Sequence, residues 1–64
     1  MEILNIKELS NYLKISVSTI RRMIFKKEIP YFQLSSQYFF DKVRIDNWVN
    51  SQINSNYIEE NNNE

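Results

Sequence analysis

A chain of 64 residues supports one small domain, and at this size folding removes only about 60% of the unfolded surface from water. It holds no cysteine, histidine or glycine, which excludes disulfides, His/Cys metal sites, an imidazole base, a P-loop and a dinucleotide fingerprint. Eight Lys+Arg balance eight Asp+Glu, and neither a membrane-length apolar run nor a signal-like N-terminus is present, so a soluble, cytoplasmic, non-enzymatic protein is expected.

Ile3 and Leu4 lead into Asn5, which forms a capping-box pattern with Glu8 three residues later. Ile6, Leu9, Tyr12 and Leu13 then fall on one helical face, predicting a first helix over 6–13. Ser16 can cap a second helix whose inward residues are Ile20, Met23 and Ile24, with Ser18, Arg21, Arg22 and Phe25 on the opposite face. Pro30 ends that element, because the residue before a proline is biased away from helical geometry. The short link Lys14-Ile15-Ser16 makes the pair a helix-turn-helix candidate.

Beyond Pro30 the period changes to two. Tyr31-Phe32-Gln33-Leu34 and Tyr38-Phe39-Phe40 read as strands around Ser35-Ser36-Gln37, a β-hairpin. Alternation sets Phe39 against Tyr38 and Phe40, and either set can be the buried one. Asp41 is placed to cap a third helix bearing Val43, Ile45, Trp48, Val49 and Ile53, too many apolar residues for one face; Ile45, Trp48 and Val49 are expected inside. Residues 54–64, with five Asn, three Glu and no Lys or Arg, read as a mobile acidic tail, Tyr57-Ile58 being its one candidate partner contact. The expected fold is α+β and mostly helical: a winged helix-turn-helix over residues 1–53, three helices with a two-stranded β-hairpin, the wing, between the second and third.

Zero net charge hides segregation. Residues 14–44 carry a net +5, from Lys14, Arg21, Arg22, Lys26, Lys27, Lys42 and Arg44 against Glu28 and Asp41, while residues 45–64 carry −4. A polyanion meets the local field, not the chain average. Carboxylate acid–base chemistry is the one catalytic option left, but the acids sit at caps and in the tail; no catalytic, metal or cofactor site and no small-molecule substrate are expected.

The second helix suits a DNA major groove. Val17 and Ser18 are short and permit close approach, and Arg21 and Arg22 are long bidentate donors for guanine or phosphate. Lys14, Ser16, Thr19, Lys26 and Lys27 flank them as candidate phosphate ligands, and Gln33, Ser35, Ser36 and Gln37 form the candidate wing contact. The competing interpretations are a solvated amphipathic helix with a hairpin that only roofs the core, and a protein-interaction module using Phe25, Tyr31 and Phe39.

The ordered string Leu4-Asn5-Ile6-Lys7-Glu8-Leu9, Tyr12-Leu13-Lys14-Ile15-Ser16-Val17-Ser18-Thr19-Ile20-Arg21-Arg22, Glu28-Ile29-Pro30, Phe40-Asp41-Lys42 and Ile45-Asp46-Asn47-Trp48-Val49 resembles the small excisionase-type DNA-binding domains, MerR-like winged helix-turn-helix proteins. That resemblance covers about residues 3–50. It implies double-stranded DNA as partner and a role as accessory factor in site-specific recombination of a mobile element, with an integrase or further copies of the chain as additional partners. The alternative it leaves is a small phage- or element-encoded transcriptional regulator. It also implies that Ser16, Ser18, Thr19, Arg21 and Arg22 face DNA. The chain departs from the family pattern in several places: Lys14 and Lys27 replace glycines, Ser35-Ser36 replaces the wing's Gly-Gly, Gln33 and Phe39 replace its arginines, and Val17 stands where arginine is frequent. The wing has thus lost charge, and the second helix is expected to supply most of the affinity.

Overall fold

A computed structural model describes the backbone of residues 1–62 and the side chains of residues 1–54. In chain order the elements are β1 (Ile3–Asn5), α1 (Ile6–Leu13), α2 (Val17–Phe25), β2 (Phe32–Leu34), β3 (Gln37–Asp41) and α3 (Lys42–Asn62). Backbone helix in α3 therefore continues through most of the segment that composition assigns to a tail. The tail's mobility and its Tyr57-Ile58 contact fall on side chains outside the described residues.

The capping box at α1 forms as its residues predict: the Glu8 N–H donates to Asn5 Oδ1 at 2.7 Å, and the Asn5 N–H donates to Glu8 Oε1 at 2.9 Å. Leu9 is the fully buried residue of this helix, with Ile6 and Leu13 packed at the core edge. Tyr12 stays at the surface, where its hydroxyl donates to Asp46 Oδ1 at 2.5 Å and ties α1 to α3. The Lys42 ammonium sits 4.9 Å from the centre of the Tyr12 ring and 3.5 Å from Asp46 Oδ2. The Tyr12 hydroxyl, and then the Asp46 charge, raise the Lys42 pKa above the ordinary 10.5. The stabilisation this carries is complete at neutral pH and fades only as alkaline pH passes the raised value; solvent exposure keeps it small.

The hairpin of β2 and β3 belongs to a three-stranded antiparallel sheet in the order β1-β3-β2. Leu4 lies opposite Phe40, and Phe32 and Asn5 both face Phe39 from either side. The strand β1 adds to the expected two-stranded wing; three residues are too few to show an alternation, and only the pairing with β3 defines them. The register settles which aromatic set is inside. Phe40 is completely buried and Tyr38 packs against the core, while Phe39 lies on the other face with its ring 6.0 Å from that of Phe32.

Asp41 does not act as the expected cap. The ladder extends to it, opposite Ile3, which keeps Asp41 in the strand; its Oδ1 is buried without a hydrogen-bond partner and its Oδ2 lies 3.6 Å from Arg44 Nε. The core joins Leu4, Leu9, Ile20, Ile24, Ile29, Phe40 and Ile45, with Trp48 and Val49 partly buried against it. Among the described side chains of α3, Val43 and Ile53 are the apolar residues left in solvent, so the excess of five is resolved as expected. The whole is a mostly helical α+β winged helix-turn-helix. Among the described residues no helix is long and apolar enough to cross a membrane.

Candidate nucleic-acid interface

Ser16 takes extended backbone geometry and its Oγ accepts the Thr19 N–H at 3.1 Å, starting α2 where its sequence predicts. The Ser16 hydroxyl also lies 2.8 Å from Thr19 Oγ1 and 3.1 Å from Ser18 Oγ, so these three hydroxyls form one network at the helix start. Ser16→Ala is expected to cost about 1 kcal/mol of folding stability in the absence of DNA, with Ser16→Asp retaining most of it, as read by urea unfolding.

From that start, Ile20 and Ile24 turn inward and Ser18, Arg21, Arg22 and Phe25 turn outward, all four exposed. Thr19 is half-buried and borders a groove with Leu13, Ile15, Met23 and Trp48, on the α3 side of the helix and away from Arg21. Val17 is exposed at the first helical position.

Lysine marks both ends of the helix pair. Lys14 closes α1 at φ 59°, with the Ile15 N–H donating to the Ser10 carbonyl at 3.2 Å. Lys26 ends α2, and Lys27 follows at φ 58°. The Lys27 N–H donates to the Ile24 carbonyl at 3.0 Å and the Glu28 N–H to the Met23 carbonyl at 2.9 Å, the paired bonds of a Schellman motif. Both lysines thus occupy left-handed positions that favour glycine, and both are exposed. The wing tip does the same: Ser35 and Ser36, at φ 52° and 67°, make a two-residue turn between the paired Leu34 and Gln37. Gln33 lies opposite Tyr38, exposed on β2.

The fold brings Arg21 to the wing. A cleft of about 310 Å³ is lined by Arg21 from α2, Ser36, Gln37 and Tyr38 from the hairpin, and Asn5, Ile6 and Lys7 from the β1–α1 junction. Arg22, Lys26 and Lys27 stand apart from it. Helical spacing from Ile6, Leu9 and Leu13 turns Lys7 to solvent; its place beside the wing depends on β1, which short-range patterning does not reveal. Among the described residues the ion pairs are Lys42–Asp46 and Arg44–Asp41, so none engages the cations of α2 and its flanks.

The family model described as a helix-turn-helix domain matches residues 3–53, which spans every element from β1 through the first half of α3. No curated protein and no solved structure matches the chain. Its capped helix pair, its basic outward ridge and the match over most of its length agree: the chain belongs to the helix-turn-helix domain family of small, excisionase-like DNA-binding domains.

Proposed function

We propose that the chain binds double-stranded DNA sequence-specifically, with α2 in the major groove and the β2–β3 hairpin against the neighbouring backbone. In this account it serves as an accessory, directionality-setting factor in site-specific recombination of a mobile element, acting at the nucleoid in the cytoplasm. The observation that carries it is the outward ridge of α2. Short Val17 and Ser18 permit approach, Arg22 is a long donor suited to base edges, and Lys14, Lys26 and Lys27 flank the ridge as phosphate ligands, none of these cations being held in an ion pair among the described residues. Ser16 and Thr19 contribute through the shape of the helix start more than as phosphate donors, because their hydroxyls already form the cap network. A domain this small, with an uncharged wing tip at Gln33, Ser35, Ser36 and Gln37, gains useful affinity from further copies on adjacent sites or from a recombinase.

Selection of bound duplexes from a random pool tests this. One recurrent motif is expected, repeated at fixed spacing where copies cooperate, and lying beside a recombination site; the same motif at a promoter identifies a transcriptional regulator instead. Neutralising about five phosphates gives a slope of log K against log salt of about −4 to −5. No enriched motif and a slope near zero exclude DNA binding.

A further inference from the structure

We propose that Lys7 and Arg21 form a phosphate clamp for the strand that separates the two grooves met by α2 and the wing. The assignment rests on the DNA-binding function proposed above and gives Lys7 a role. In a duplex, a major groove and the next minor groove are divided by one phosphodiester strand. A helix seated in the first and a hairpin reaching toward the second must straddle that strand, which then runs through the space between helix and hairpin. In this protein that space is the cleft lined by Arg21 on one wall and by Ser36, Gln37 and Tyr38 on the other, with Lys7 and Asn5 at the end formed by the β1–α1 junction.

The chemistry of the lining fits a phosphate diester. Two cations enter the cleft from separate elements, Ser36 and Gln37 bring a hydroxyl and an amide as neutral donors, and none of the lining residues is acidic. The nearest carboxylate in sequence, Glu8, is held by the Asn5 N–H in the capping box. Lys7 and Arg21 are both exposed and take part in no ion pair among the described residues. The wing's own lack of charge is compensated here: the cations that a wing would carry come from α1 and α2. Arg21 then holds the register of the protein on the duplex, and base reading falls to Ser18 and Arg22 further along the outward ridge.

The test compares the unaltered chain with Lys7→Ala, Arg21→Ala and the double variant, on the selected duplex and on a random one, across a salt series. All three variants keep the circular dichroism spectrum, since both side chains are exposed. The double variant is expected to lose roughly eightfold at 0.1 M salt on both duplexes alike, with a slope shallower by about 1. Lys7→Ala alone shows part of that loss. A single uncharged methylphosphonate linkage in the strand between the grooves costs the unaltered chain a similar factor and costs the double variant nothing. Loss confined to the selected duplex makes Arg21 a base reader and overturns the clamp, as does a Lys7→Ala variant with unchanged affinity and slope. Failure of the unaltered chain to bind any duplex is a different result, and overturns the proposed function together with the clamp.

Discussion

Phe40→Ala is expected to leave the domain unfolded at 25 °C. Phe40 is completely buried on β3, opposite Leu4, and joins the sheet to the residues of all three helices in the core. Truncating a buried phenylalanine costs about 3–5 kcal/mol through lost transfer free energy and the cavity left behind. A core of this size rarely supplies more than about 3–5 kcal/mol in total, so the substitution removes most or all of the stability. Phe25→Ala provides the control. Phe25 is 87% exposed on α2, and its truncation is expected to change stability by no more than about 0.5 kcal/mol. Urea unfolding followed by circular dichroism distinguishes them: a cooperative transition for Phe25→Ala, none for Phe40→Ala.

The second large effect has the opposite sign. Lys14, Lys27, Ser35 and Ser36 all hold positive φ without being glycine, in a chain that has none. The left-handed region costs a residue with a Cβ roughly 1–2 kcal/mol, of which the extra unfolded-state freedom of glycine takes back a part. Lys14→Gly and Lys27→Gly are each expected to stabilise by about 1 kcal/mol, and Ser35→Asn with Ser36→Gly, which installs the favoured type I′ turn pair, by about 1 kcal/mol more. All four together raise the midpoint of thermal unfolding by about 4–8 °C for each kcal/mol gained. The two lysine substitutions are also expected to weaken duplex binding, each removing a cation that flanks α2, so that stability and affinity move in opposite directions. A thermal scan showing no gain for Lys27→Gly contradicts the strain argument, because its Schellman bonds leave the chain no other exit from α2.

Much of this architecture is visible in the residues themselves. The reciprocal pattern of Asn5 and Glu8 and the spacing of Leu9, Ile20 and Ile24 are local signals, and local signals define α1 and the start of α2. The hairpin follows from a change of period after Pro30, although its turn lacks the residues that normally announce one. What stayed hidden depends on pairing at long range. The strand β1 exists because Leu4 meets Phe40 across 36 positions, and Asp41, paired with Ile3 in the same ladder, has its Oδ1 buried without a partner and its Oδ2 beside Arg44 Nε, so neither oxygen caps α3. Lys7 has the same origin: helical periodicity turns it to solvent, and only the sheet places that solvent-facing position beside Ser36 and Gln37. Composition sets no end to α3, because a polar segment with little apolar content can continue a helix whose first turns are anchored by Ile45, Trp48 and Val49.

DNA binding depends on the basic face of α2, and amide chemical-shift mapping on addition of a selected duplex shows whether that face makes the contact. The largest changes are expected to cluster at Ser16–Lys27, at Lys7 and at Ser35–Gln37, and to diminish together as salt is raised. Shifts concentrated instead on the outer sheet face at Phe32 and Phe39, with Ser18, Arg21 and Arg22 unmoved, contradict that dependence.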